Sequence, residues 1–173
     1  VTIRLDDNAS GFGEGAAKPV LAFWLLERGS NVNLGNYLEN VTIDTGHGNP
    51  GAIGVSYSSS NYGGIRNVSV ISPDGKGACG IEMRIRNVCS YYRDLTVDGF
   101  ETGLSLNSGS ESVLTVEHAM VRNAKPAFEV GTRQPKKAGT GSLLNLRKVS
   151  LQKVGTPVAC GSWGTVAALD CGD

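Results

Sequence analysis

The sequence predicts an all-β protein, a parallel β-helix in which short strands of successive coils stack along one axis. Five copies of an apolar segment begin 27, 27, 24 and 30 residues apart, at Val41, Val68, Leu95, Ala119 and Val149. A repeat of this length indicates stacked coils rather than one closed core. Within each copy apolar and polar residues alternate with period two, which is typical of strands. The 24 glycines and 6 prolines interrupt the segments before a helix could form.

Each copy contributes several inward positions, which align as columns of apolar residues. Besides the five starting residues, the columns are Leu38, Ile65, Tyr92, Val116 and Leu146; Ile43, Val70, Val97, Val121 and Leu151; Ile53, Ile81, Leu104, Phe128 and Val158; and Val55, Met83, Leu106, Val130 and Cys160. Corresponding strands should pair in parallel, about 4.8 Å apart. The coil length and the large loops resemble those of right-handed parallel β-helices. We therefore expect a single right-handed β-helix domain of about six coils over residues 1–173, part of a longer chain.

Two neighbouring coils carry enlarged loops, 44–51 and 72–80, which should stack at one corner. A separate insertion lies between Phe128 and Val149 and includes residues 132–137. Loops that lengthen locally on a rigid solenoid are where binding walls are usually built.

Composition excludes several functional classes. Sixteen basic and sixteen acidic residues cancel, and no basic stripe indicates nucleic acid. No segment approaches the roughly 20 apolar residues of a membrane helix. No signal peptide is visible and the chain has no initiator Met, so we interpret it as a mature product or a piece of a longer protein.

The four cysteines form no metal-binding motif, and neither a metal nor a cofactor is expected. The pairs Cys79 with Cys89 and Cys160 with Cys171 are ten and eleven residues apart, which suits two local disulfides; isolated thiols are the alternative. Because Cys160 aligns with inward Leu106 and Val130, its sulfur should face the core. A bridge from Cys160 to Cys171 would hold the last coil.

The segments Asn40–Val55 (NVTIDTGHGNPGAIGV) and Gly64–Val70 (GIRNVSV) resemble pectate-lyase-like β-helix proteins, in particular bacterial relatives of the exo-1,3-glucanase β-helix family. The similarity runs from about Val1 to Pro157. It implies a polysaccharide or glycan as partner and an extracellular or cell-surface location. No catalytic motif carries over, so no residue inherits a role from the family.

Outward columns supply the candidate chemistry. Asp94 and His118 should be one strand apart, and a carboxylate beside an imidazole can tune a general base; the alternative is a solvated cross-strand pair. Glu82 and Glu129 should be two coils apart, or about 9.6 Å between backbones. That is near the upper limit of roughly 6.5–9.5 Å for inverting glycosidases. Exposed glutamates with Ser105 between them are the alternative.

A glycan site, if present, should lie beside the stacked loops, with Asp94, His118 and Glu82 as catalytic candidates. Asp44, His47 and Asn67 are the candidate substrate contacts, although Asp44 could cap its own turn and His47 could point to water. Five aromatic residues could stack on sugar rings, with a packing or lid role as the alternative: Trp24, Tyr57, Tyr62, Tyr91 and Trp163. The hypotheses are a polysaccharide hydrolase or lyase and, alternatively, a non-catalytic structural or glycan-binding module. Open coil ends should be covered by self-association or by further sequence.

Overall fold

The computed structural model describes residues 1–23, 34–83, 89–107, 112–133 and 141–170, and these ranges contain ten β-strands and no helix. None of the described segments is therefore a helix able to span a membrane. The strands are β1 (Thr2–Arg4), β2 (Lys18–Ala22), β3 (Leu34–Asp44), β4 (Ala52–Ser56), β5 (Ser60–Ile71), β6 (Gly77–Met83), β7 (Cys89–Leu106), β8 (Ser112–Val130), β9 (Ser142–Cys160) and β10 (Gly164–Asp170).

Parallel pairing between successive coils organises the whole sheet. The strands follow the order β1-β3-β5-β7-β6-β4-β2, β8 lies between β7 and β9, and β10 pairs with β9. All of these ladders are parallel. The predicted parallel β-solenoid is thus confirmed, with about four turns.

The inward columns form the core. Cα pairing joins the five starting residues in the predicted order. The column that begins at Ile43 is likewise confirmed, and Ile3 of β1 extends it by one rung. Its members from Ile43 to Val121 are at most 1% exposed. Each coil buries its apolar side chains only against its neighbours, so the core is a continuous stack.

One predicted register is wrong. Val55 pairs with Ile81 and Ile53 with Cys79, whereas the columns had aligned Ile53 with Ile81 and Val55 with Met83. A shift of two residues keeps every side chain on its own face of the sheet, so the apolar pattern is the same in both registers.

Long strands turn corners without ending. In β8, His118 and Asn123 both have φ of 52° and separate straight segments at 112–117, 119–122 and 124–130. Left-handed residues turn the chain locally, and Asn, Asp and His tolerate that conformation better than most residues. The coil formed by β8 therefore has three sides separated by two left-handed corners.

The cysteine predictions are corrected by the structure. Cys79 is buried and Cys89 is exposed, and both are free thiols, so no bridge joins them. Cys160 does align with Val130, but it is an exposed free thiol. Its sulfur is not enclosed because, among the described residues, no further strand stacks on this part of β9. Cys171 lies outside the described residues.

Candidate functional site

The column that holds Asp94, His118 and Asn67 is a corner of the solenoid rather than a strand face. All five of its residues have positive φ, between 50° and 57°. They are Asn40, Asn67, Asp94, His118 and Lys148. Their first role is therefore conformational, because each must hold a backbone geometry that few side chains accept.

Asp94 and His118 are neighbours, as predicted. Nδ1 of His118 lies 3.6 Å from Oδ1 of Asp94, and Nε of Arg93 lies 3.4 Å from Oδ2 of Asp94. The side chains of Asp94 and His118 are 47% and 36% exposed. Below them in the corner, Nδ2 of Asn67 donates to Oδ1 of Asn40 at 2.8 Å. These contacts join side chains of successive coils along the corner, and solvent reaches them freely.

Asp44 caps its own turn, which is the alternative that the sequence had offered. Its Oδ1 accepts a hydrogen bond from the Gly46 backbone N–H at 2.8 Å, and Nε of Arg4 lies 3.4 Å from its Oδ2. Asp44 and the corner residue Asn40 are at opposite ends of one segment, about 13 Å apart at 3.3 Å per residue. The structure therefore does not bring Asp44 together with Asp94 and His118.

The loop 44–51 is covered by the N-terminal segment. The backbone of Asn8 donates to the His47 carbonyl at 2.8 Å, and that of His47 donates to Oδ1 of Asp7 at 2.9 Å. A Cβ on Gly48, which has φ of 72°, would collide with the Asn8 side chain. The His47 imidazole itself remains more than half exposed, with Nδ1 at 3.4 Å from Asp7. The N-terminal segment thus occupies part of the surface of loop 44–51 and leaves the His47 imidazole accessible.

Asn49 holds this covered corner together. It is 2% exposed, accepts from the Ala9 backbone at 2.8 Å, and donates to the carbonyls of Asp6 and Thr45 at 2.9 and 2.8 Å. Its side chain is therefore committed to the fold. Across the residues that the structure describes, no three His, Cys, Asp or Glu side chains are grouped to hold a metal ion.

Glu82 belongs to a polar column that runs along another side. Its Oε1 accepts from Ser56 Oγ at 3.0 Å, and Oε2 of Glu129 accepts from Ser105 Oγ at 2.9 Å. Cα pairing places Ser105 between Glu82 and Glu129, which confirms the predicted two-coil separation. Both carboxylates are thus tied to neighbouring hydroxyl groups, as in a ladder of polar side chains.

The second loop borders an open groove of about 510 Å³, in the neighbourhood where a wall had been predicted. Oδ2 of Asp74 accepts from the Gly48 backbone at 2.7 Å, so the two loops do stack. Across the groove, Asp98 accepts from Nε of Arg122 at 2.9 Å and from Nδ2 of Asn123 at 2.6 Å. The groove arises because the enlarged loop stands beside coils that have only a tight corner.

The Asp74 carboxyl has a lowered pKa. Partial burial raises the pKa, but hydrogen bonds from the backbones of Gly48 and Lys76 and from the Ser72 hydroxyl outweigh that effect. Asp74 is consequently a carboxylate that locks the loop, with one face toward the groove.

A further surface is built from tyrosines. Tyr37, Tyr62 and Tyr91 are 58%, 57% and 42% exposed, and they line one shallow cavity of about 310 Å³. Tyr37 and Tyr91 occupy the same outward column, two coils apart, with Gly64 between them. Exposed aromatic rings that share one face are unusual enough to indicate a contact surface. We call Tyr37, Tyr62 and Tyr91 the tyrosine face.

Sequence reasoning found this surface only in part. Tyr62 and Tyr91 were considered as rings that could stack on sugars, whereas Tyr37 was not. Tyr57, also considered, is fully buried against Phe23 and Tyr92, and burial raises its pKa to about 12. The alignment of Tyr37 with Tyr91 was the available signal, since both stand one residue before the inward column of Leu38 and Tyr92. Trp24 lies outside the described residues.

Compared with protein-family models, curated proteins and solved structures, the chain matches none of them.

Proposed function

We propose that this protein is a glycan-binding β-solenoid whose tyrosine face contacts the sugar. The observation that carries the proposal is the exposure of three tyrosines on one side of a rigid sheet. Sugar rings have an apolar C–H face that packs on aromatic rings, and tyrosine adds a hydroxyl group for hydrogen bonding. Tyrosine also loses little conformational entropy on contact, because it has only two side-chain torsions.

The surroundings of the tyrosine face support a polar, hydroxylated ligand. Ser90 and Thr115 line the same cavity, and the Tyr91 hydroxyl donates to Glu117. Apolar pockets with a few polar groups are the usual form of a small-ligand site. The strand of Tyr91, β7, pairs in parallel with β5 on one side and β8 on the other, and the segment of β3 that carries Tyr37 pairs with β5.

A binding measurement with matched variants tests the proposal. Tyr37→Ala and Tyr91→Ala should each weaken binding of a responsive glycan from an array by at least about tenfold, the effect of losing one well-packed aromatic contact. Trp163→Ala is the control, since Trp163 is 38% exposed and lies outside the tyrosine face. Equal effects of all three substitutions, or none from either tyrosine, would contradict the proposed function.

A second candidate, a polysaccharide hydrolase or lyase, is supported by the groove beside the enlarged loop 72–80. Two carboxylates and a guanidinium group line it, from Asp74, Asp98 and Arg122. Such groups can act as acid, base or charge-neutralising residues on a polysaccharide. Release of reducing ends, with or without ultraviolet absorbance from an unsaturated product, would distinguish hydrolase from lyase. Asp98→Asn should abolish that activity while Asp94→Asn preserves it.

The proposal also includes the handedness and coil number of the solenoid, its location and the cover of its edges. We propose a right-handed solenoid of about six coils, and the six rungs of one column support the coil number: Ile3, Ile43, Val70, Val97, Val121 and Leu151. We place the protein outside the cell or at its surface, where polysaccharides are found. Within the described residues β1 and β2 each pair on one side only, so self-association or further sequence would cover those edges.

A further inference from the structure

Two members of the tyrosine face lie two coils apart in one column. In this outward column the residues are, coil by coil, Tyr37, Gly64, Tyr91, Thr115 and Asn145. Tyr37 and Tyr91 are therefore about 9.6 Å apart between backbones, with Gly64 between them, and the next position at this spacing is Asn145. The gap at Gly64 is enforced, because a Cβ there would collide with the Tyr91 carbonyl oxygen.

The next outward column is ionic and contains Glu39, Arg66, Arg93, Glu117 and Arg147. Arg66 pairs with Glu39 at 3.1 Å, and Arg147 lies 3.7 Å from Glu117. Arg93 lies 3.4 Å from Asp94 at the adjoining corner. Each guanidinium group beside the tyrosine face thus has its own carboxylate. A polyanion would have to displace these carboxylates, whereas a neutral polyol can use the paired groups as donors and acceptors.

Building on the proposed glycan binding, we propose that the ligand is a neutral, extended β-1,4-linked glycan that lies along the solenoid axis. In such a chain alternate sugars are turned over, so the same ring face recurs at every second sugar. That repeat matches the two-coil separation of Tyr37 and Tyr91, with one sugar on Tyr37 and another, two sugars along, on Tyr91. The carboxylate partner of each neighbouring arginine suits a neutral ligand.

The experiment adds one tyrosine ring to the column, at the two-coil spacing of the existing pair in one variant and at a one-coil spacing in the other. Asn145→Tyr places a tyrosine two coils beyond Tyr91, whereas Thr115→Tyr places it one coil beyond. Tyrosine is favoured in strands, and thermal unfolding followed by circular dichroism checks that both variants fold. The probes are cellohexaose, cellobiose, laminarihexaose and hexagalacturonate, measured by titration calorimetry.

We expect cellohexaose to bind more tightly than laminarihexaose, which has a different backbone geometry, and than the acidic hexagalacturonate. Asn145→Tyr should tighten cellohexaose binding by about threefold to tenfold, the effect of one added aromatic contact, and leave cellobiose unchanged. Thr115→Tyr should give no gain.

The outcomes of this experiment distinguish failure of the inferred β-1,4-linked ligand from failure of the proposed glycan binding. Equal gains from both variants, no gain from a folded Asn145→Tyr protein, or preferred binding of hexagalacturonate or laminarihexaose would overturn the inference. If Tyr37→Ala and Tyr91→Ala still weakened binding, the glycan-binding function would stand. If no glycan bound, or binding ignored both tyrosines, the proposed function would fail and the inference with it.

Discussion

Substitutions at Asp94 should separate a conformational role from a catalytic one. Asp94 has φ of 55°, inside the left-handed region, and its carboxylate makes two exposed contacts, at 3.4 Å to Arg93 and 3.6 Å to His118. Asparagine tolerates this backbone conformation almost as well as aspartate does, whereas a β-branched residue does not. We therefore compare Asp94→Asn with Asp94→Val.

The expected losses of stability follow from the two side-chain contacts of Asp94 and from its left-handed backbone conformation. Exposed ion pairs are typically worth about 0–1 kcal/mol, so Asp94→Asn should lower the free energy of unfolding by less than about 1 kcal/mol. Asp94→Val removes the same contacts and adds a left-handed conformational cost of at least about 1–2 kcal/mol. The valine variant should thus be about 1–2 kcal/mol less stable than the asparagine variant.

Urea denaturation followed by circular dichroism measures both values, with the slope compared between variants. Thr96→Val, at an extended position two residues later in β7, is the control and should change stability by about 0.5 kcal/mol or less. Equal stability of the asparagine and valine variants would refute the conformational role. Loss of an otherwise present polysaccharide-cleaving activity in Asp94→Asn, with stability unchanged, would support the predicted catalytic role of Asp94.

Three other predictions concern the core, the loop and the thiols. Phe128→Ala should cost about 3–5 kcal/mol in the same denaturation assay, because Phe128 is 1% exposed between paired Leu104 and Val158; a loss below about 1 kcal/mol would contradict the stacked register. Since the pKa of Asp74 is lowered from 3.8 in the folded protein, its contribution to stability is present above about pH 3.9 and lost as pH falls through the lower folded value. The stability difference between the parent protein and Asp74→Asn should accordingly shrink toward pH 2, and a difference independent of pH would count against this carboxylate. Finally, maleimide should label exposed Cys89 in the native protein but buried Cys79, whose pKa is raised by burial, only after unfolding; mass spectrometry that finds both labelled natively would be inconsistent with the fold.

The repeat and its alternation were sufficient to predict the parallel solenoid and most of its columns. Ala119, for example, pairs with Leu95 and Val149 as the alignment required. The coil interior excludes polar side chains at every second position, so the pattern reports directly on which residues face inward. It could not decide the register of Val55, because a shift of two residues leaves that pattern unchanged.

Candidate site residues were harder to predict, because a column of polar residues is the same in sequence whether it lies on a strand or at a corner. Asp94 and His118 were correctly placed side by side, yet their positive φ is a property of the folded backbone. Loop 44–51 was correctly expected to stack on its neighbour, but its cover comes from a segment about 40 residues earlier. No local signal links Asn8 to His47 or Ala9 to Asn49.

By itself the sequence determined the all-β class, the parallel stacking and the faces of most side chains. These properties depend on local periodicity and on burial against the equivalent position of the next coil. Only the tertiary structure decided which polar column turns a corner, which loop is covered, and which tyrosines share one exposed face. Those properties depend on contacts between residues far apart in the chain. The tyrosine face shows the physical reason, because Tyr37 and Tyr91 lie on the same column only when two complete turns of the solenoid bring them there.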